Sequence, residues 1–321
     1  MIDHLDTPRL ADWGLSVTVC IGALCEKNEK IVVVSDNKVS FGDFSADMAV
    51  FKMDVFFARW MAMFAGDDIE HIPFVLERAS SLLSAVRRRK KATVSPSQVA
   101  NAIQRAYEEQ LEAQIEAKVL RRHGFSAKSF MEDGKRKCTA SVYNGLCAKI
   151  ANIKLSLKFL MVGFDAKNKG HLIVGGGEEA PKDYTSLGFI AIGSGANAAL
   201  SSLLFHRERQ HISTTVSEQR CVYVTCAAKY MAESATDVGR KATTVGILSV
   251  DGVRSVIEEY KIRHIWEEEG APRLPPDLDS RIGPLILKPD EGIRRAEEVM
   301  KEANRRETIR RLALQTSADR R

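Results

Sequence analysis

The chain has 321 residues, of which 45% are hydrophobic, 28% charged and 7% aromatic. These proportions exclude a wholly disordered, collagen-like or disulfide-scaffold protein, and the length allows one large domain with extensions or two ordinary ones. Lys and Arg number 47 against 42 Asp and Glu, and the resulting +5 is too small to imply nucleic-acid binding by itself.

The first ten residues are mixed and acidic, unlike the charged-then-apolar leader of a secreted protein, and residues 1–15 read as an N-terminal extension. Val17, Val19 and Ile21 then alternate with Ser16, Thr18 and Cys20 as a strand. The charged turn 26–30 follows, and residues 31–34 return as a buried strand. A second hairpin is expected at 48–53 and 60–65. Residues 72–86 have helix spacing and end in the basic run 87–91. Ser95-Pro-Ser-Gln98 is a helix start, with Ser at the N-cap, Pro at the first helical position and Gln completing a capping box. That helix runs to Arg122 and stops at Gly124. Residues 124–150 are polar and carry no legible period; with the preceding helix they form a helical insertion of about 92–150.

Residues 159–164 and 171–174 form a strand pair, 189–192 a further strand, and Gly193-Ser-Gly195 leads into a helix through Phe205. The longest uncharged stretch, 184–205, has glycines at its centre and suits a strand, a turn and a helix better than a membrane span. Thr215-Val-Ser-Glu218 reads as a second capping box, opening a helix to about Ser234. Residues 243–250 and 253–258 are strands around an Asp251-Gly252 turn. Residues 259–321 comprise a linker marked by Pro272, Pro275 and Pro276 and a charged helical tail. Nine basic and six acidic side chains fall in 291–321. The six cysteines form no CxxC pair and have no matching histidine spacing, so neither a zinc site nor a disulfide framework is expected, and the setting is read as cytoplasmic. Helices in pairs between groups of strands argue against a doubly wound parallel sheet. The expected class is α+β, a four-layer αββα sandwich of two antiparallel sheets covered by helix pairs.

Thr18-Val-Cys20, Ser35-Asp36-Asn-Lys38, Phe51-Lys52-Met53, Phe64-Ala-Gly66-Asp67 and the Gly193-Ser-Gly195 turn occur in order, with Asp237 fourteen residues before Asp251. In this order and spacing, residues 16–258 resemble the proteasome β-subunit superfamily of N-terminal-nucleophile hydrolases, nearest to the bacterial proteasome-like peptidases. The resemblance implies a threonine whose hydroxyl attacks an amide carbonyl while its own free α-amine takes the proton. It makes Thr18 the nucleophile, Lys52 the activating cation and Asp36 the partner of that lysine. Gly66 becomes the oxyanion donor, with Ser194 and Asp237 around the amine. It also implies a peptide or protein substrate, a homo-oligomeric ring or helical array, and no metal or organic cofactor.

The sequence departs from that pattern in places. Seventeen residues precede Thr18, and Val17 rather than a glycine adjoins it; the nearest glycine is Gly14. If Thr18 is the nucleophile, the first hairpin is two residues longer than in the family; counted without that extension, Cys20 takes the nucleophile's place. Arg240 stands where the superfamily has a supporting serine. Two functions therefore stay open: a threonine peptidase active after loss of residues 1–17, and a catalytically silent proteasome-fold subunit acting through assembly. Binding of nucleic acid through 87–91 and the tail is disfavoured, because acids interleave the tail and no aromatic residues stand between the basic ones. No membrane partner is expected.

Overall fold

In the computed structural model the described residues are 18–36, 38–41, 44–47, 52–90, 93–210, 214–234, 238–240, 243–255 and 259–270. The chain divides into two units, Met1–Gly270 and Ala271–Arg321. The predicted N-terminal extension, the Pro-containing linker after Gly270 and the charged tail lie outside the described residues.

The elements follow in chain order. The β1 (Cys20–Cys25) and β2 (Lys30–Asp36) strands form a hairpin, and β3 (Lys38–Phe41) and β4 (Phe44–Asp47) a second, separate one. Next come β5 (Met53–Phe57), β6 (Trp60–Gly66), α1 (Ile72–Lys90), α2 (Pro96–Ile115), α3 (Ala127–Lys137) and α4 (Ala140–Ala151). They are followed by β7 (Leu157–Phe164), β8 (Gly170–Gly175), β9 (Lys182–Asp183), β10 (Phe189–Ile192), α5 (Ala196–Gln210) and α6 (Glu218–Ala232). The described part closes with β11 (Thr243–Ser249), β12 (Gly252–Ser255) and α7 (Glu259–Ile265). Ten of these strands make two five-stranded sheets, ordered β10-β1-β2-β11-β12 and β5-β6-β7-β8-β9. Every pairing in them is antiparallel. The protein is thus of mixed α+β class. Among the described residues no helix is long and apolar enough to cross a membrane.

The first hairpin is apolar on both faces because both faces are covered. Along β1 and β2, Ile21, Ala23, Val32 and Val34 pack in one cluster with Ala199 and Leu203 of α5 and Val224 and Ala228 of α6. The alternate residues Cys20, Leu24, Ile31 and Val33 pack with Met63, Leu160 and Leu172 of the other sheet. A third cluster joins that second sheet to α1 and α2, through Trp60, Phe159 and Met161 against Val75, Leu83, Ile103 and Tyr107. Period-two alternation therefore sorts side chains between two cores, and the hydrophobic runs in β1 and β2 are those of strands with no solvent face.

Several boundaries differ from the sequence reading. The strand expected at 48–53 lies one hairpin arm further on: β5 begins at Met53, which pairs with Met63, and the turn forms at Ala58-Arg59. Residues 48–51 lie outside the described residues. The hairpin of β3 and β4 has no counterpart in the sequence reading. The helix start at Ser95 forms as expected, with both bonds of the capping box present. The second capping box does not form: Ser217, not Thr215, occupies the N-cap, and the Glu218 N–H donates to Glu26 Oε1 (2.9 Å) from the β1–β2 turn. The Glu218 carboxylate pairs with Lys30 at 2.6 Å, so long-range partners replace the local cap. The polar stretch 124–150 is two helices, α3 and α4, capped by Ser126 and Thr139 and packed on a small cluster of Val119, Leu120, Phe130 and Leu146. Its apolar positions are too few to show a period, but each helix has a capping residue. Of the last expected strand, β12 covers Gly252–Ser255, and 256–258 lie outside the described residues.

Trp60 stands directly opposite Gly163, where a Cβ would lie 2.5 Å from the indole ring and 2.6 Å from the Arg59 carbonyl. The backbone atom cannot swing aside, so Gly163→Ala is expected to lower the unfolding free energy by about 1–3 kcal/mol through overpacking. Urea unfolding followed by circular dichroism measures this, and an unchanged midpoint would contradict the packing described.

Candidate active site

The strand that carries Asp36 ends inside the protein, which obliges its carboxylate to find donors. Asp36 is fully buried. Its Oδ1 accepts from the Thr18 hydroxyl (2.7 Å), the Val19 backbone N–H (2.9 Å) and Lys52 Nζ (3.0 Å), and its Oδ2 accepts from the Gly239 N–H (3.1 Å). Lys52 Nζ also donates to Thr18 Oγ1. The hydroxyl is therefore held between a carboxylate and an ammonium, with Thr18 only 3% exposed. Three residues up to 34 positions apart converge, because the residues leading into β1 supply Thr18, β2 supplies Asp36, and Lys52 enters from just before β5 in the other sheet.

The turn between β10 and α5 grips the backbone of Thr18. Its N–H donates to Ser194 Oγ (3.2 Å), and its carbonyl accepts from Ser194 Oγ (3.3 Å) and from the Gly195 N–H (3.2 Å). Gly193 makes this approach possible: its φ of +97° is left-handed, and a Cβ there would meet the Thr18 carbonyl oxygen at 2.2 Å. Gly66 closes β6 with φ of +143°, and a Cβ would meet the Ser156 carbonyl oxygen at 1.9 Å. Cys20 ties that strand to β1 through its thiol, which donates to the Phe64 carbonyl (3.4 Å) two residues before Gly66.

Thus Thr18, Asp36, Lys52 and Ser194 come together in one place, and Gly66 ends β6, a strand of the facing sheet that the Cys20 thiol touches at Phe64. Asp237 lies outside the described residues; the described neighbour that reaches the site is Gly239. Cys20 is fully buried, and burial pushes its thiol up to about 12, an effect that the nearby Lys52 charge only partly offsets. A thiol so rarely ionised is a poor nucleophile.

The chain matches no protein-family model and no curated protein. The site is therefore read from its geometry.

Sequence reasoning missed the support behind Asp36. Lys229 of α6 is fully buried; its Nζ donates to the Gly239 carbonyl (2.8 Å) and to Glu233 Oε1 (2.5 Å). Burial lowers its pKa, against the opposing pull of Glu233. Arg263 of α7 completes the group with two bonds to Glu233 (2.6 and 2.9 Å), and its guanidinium lies 4.2 Å from the Tyr230 ring centre. Arg240 also points here, donating to the Glu233 carbonyl (3.3 Å). Gly239 is thereby pinned on both sides, its N–H on Asp36 and its carbonyl on Lys229. The available signal was a lysine inside the apolar run 221–230 with a glutamate four residues on, the spacing of a helical ion pair.

Elsewhere, ligand atoms of Asp68, Glu70 and His71 lie within 4.8 Å of one another. They have protein partners: Asp68 Oδ2 accepts from the Ser156 N–H (2.6 Å), and His71 Nδ1 lies 3.3 Å from Gln110 Nε2. These bonds account for the cluster.

The buried thiols give a pH dependence with a definite sign. Cys20 and Cys226 are both raised from 9.0 to about 12, chiefly by burial. Above pH 9 the unfolded chain loses thiol protons that the folded chain keeps, so stability declines as pH rises from about 9 towards about 12. In the native protein at pH 8, a thiol reagent is expected to reach the half-buried Cys138 and Cys147 rapidly and the four buried cysteines only on unfolding. Rapid loss of the Cys20 thiol, read by mass spectrometry of the labelled peptides, would contradict this placement.

Proposed function

We propose that this chain is a proteasome-like N-terminal-nucleophile hydrolase that cleaves peptide amide bonds with Thr18 once residues 1–17 have been removed. The observation that carries the reading is the buried Thr18–Lys52–Asp36 constellation, with Ser194 on the Thr18 nitrogen. In the uncut chain that nitrogen is an amide and cannot serve as a base. Cutting before Thr18 turns it into an α-amine, whose ordinary pKa of about 7.7–8.0 already lies near neutrality. The Lys52 ammonium beside it disfavours the protonated amine, leaving more free base.

In the proposed step the amine takes the hydroxyl proton as Thr18 Oγ1 bonds to the substrate carbonyl carbon. The carbonyl oxygen takes up negative charge, for which the Gly66 N–H is the candidate donor. Collapse expels the amine half of the substrate with that proton, and water then hydrolyses the threonine ester, regenerating the hydroxyl. The same reading places the two sheets between helix pairs as a four-layer αββα sandwich, consistent with three clusters that join helices to sheet, sheet to sheet and sheet to helices. A homo-oligomeric ring or helical array belongs to the proposal as well.

A second reading has its own observation. Arg240 stands where the superfamily has a supporting serine, and it spends its guanidinium on the Glu233 carbonyl. A chain lacking that serine would be a catalytically silent proteasome-fold subunit acting through assembly.

Intact-mass measurement of the purified protein, with a peptide-amide hydrolysis assay, separates the two. The enzyme reading expects a chain beginning at Thr18. It also expects Thr18→Ser to keep measurable activity, and Thr18→Ala to retain residues 1–17 and lose about a thousandfold or more in rate. A wild-type chain that keeps residues 1–17 and hydrolyses no peptide amide would leave the silent subunit.

A further inference from the structure

The basic run at the end of α1 finds no role in the proposed hydrolysis; its exposed arginines border a cleft. Arg87 and Arg88 line a cleft of about 800 Å³ together with Arg59, which comes from the turn between β5 and β6. Ser84 and Thr93 add two hydroxyls, and among the described residues no carboxylate lines the cleft. Its apolar wall is Phe57, Trp60 and Phe164, all buried.

Several helix arginines are paired, Arg78 and Arg105 with Glu109 and Arg136 with Asp133, whereas Arg89, Arg207 and Arg220 show no ion pair among the described residues. Arg87 and Arg88 likewise have no ion pair among the described residues. Two features separate this cleft from a solvated basic surface. Arg59 arrives from a different element and is oriented by Asn168, whose Oδ1 accepts from its guanidinium at 2.7 Å. Finally, Ala58 takes a left-handed φ of +48°, uncommon for a residue with a Cβ, and that turn carries Arg59 to the cleft. Basic residues at a helix C-terminus complement its dipole, but that accounts only for Arg87 and Arg88.

We propose that this cleft binds a small molecule bearing a di- or triphosphate. Guanidinium groups match phosphate oxygens two at a time, and three of them without an acid suit several negative charges held within a few ångströms. A single carboxylate would need only one arginine. The volume lies in the range of about 300–1,000 Å³ typical of small-ligand sites. The buried aromatic wall offers apolar contact to an organic group but no free ring face for successive bases, which disfavours single-stranded nucleic acid. Six residue steps along β6 separate Trp60 from Gly66, roughly 20 Å, so occupancy of the cleft is independent of the chemistry proposed at Thr18.

Calorimetric titration of the full-length protein with pyrophosphate, ADP and a hexaglutamate peptide, at low and at physiological salt, tests the assignment. Pyrophosphate and ADP are expected to bind. Arg59→Gln and the double variant Arg87→Gln/Arg88→Gln are each expected to weaken both by about tenfold or more, the scale of one lost charge-assisted contact. Arg105→Gln, which alters a paired arginine outside the cleft, is expected to leave them unchanged. ADP binding tighter than pyrophosphate identifies an organic diphosphate as the occupant, and equal affinities identify the inorganic one. Absence of binding by either at millimolar concentration, binding indifferent to the cleft variants, or tighter binding of hexaglutamate would overturn the proposal. Because these arginines are exposed, circular dichroism is expected to show folded variants, and Thr18→Ala is expected to bind like the wild type.

Discussion

A carboxylate taken wholly out of water is tolerated only if donors replace its hydration, and Asp36 is that carboxylate here. Its four donors come from three parts of the chain: Thr18 and Val19 leading into β1, Lys52 before β5, and Gly239 beyond α6. Each donor fixes a segment that no regular ladder would hold at that point. Loss of the charge would leave the Lys52 ammonium without its carboxylate and the Gly239 turn without an anchor on the strand. The proposed nucleophile is positioned by the same bonds that satisfy the acid, so structure and chemistry share one constraint.

A second buried ionic group stands behind the first. Glu233 stands between two cations, Lys229 and Arg263, and Lys229 spends a further hydrogen bond on the Gly239 carbonyl. Buried ions of this kind contribute little net stability, because desolvation offsets most of their attraction. What they contribute is position: Gly239, whose N–H donates to Asp36, is also held through its carbonyl, and α7 is tied to α6. The Tyr230 ring beneath Arg263 adds a cation–π contact to the same tie.

Much of the element order was legible because its signals are local. The capping box at Ser95, the turn at 26–30 and the glycine turn 193–195 depend on residues within a few positions of one another, and each formed. Failures came where a distant partner decided the outcome. Thr215 to Glu218 carries a capping-box pattern, yet the helix starts at Ser217 because Glu26 and Lys30, nearly two hundred residues earlier, take up Glu218. The second hairpin turns at Ala58-Arg59, later than its sequence pattern indicates, because Phe56, Phe57 and Trp60 form one buried group, a matter of packing rather than period.

By itself the sequence determined the alternation of strand groups and helix pairs, the residues that a family resemblance marks as reactive, and the buried run 31–34 of β2. Periodicity, turn chemistry and spacing are properties of neighbours along the chain. Only the tertiary structure decided that Thr18 lies between Lys52 and Asp36, that Lys229 stands behind Asp36 through Gly239, and that Arg59 meets Arg87 and Arg88 across a cleft. Those relations depend on contacts between residues tens to hundreds of positions apart. There the cost of burying a charge selects partners that no local pattern names.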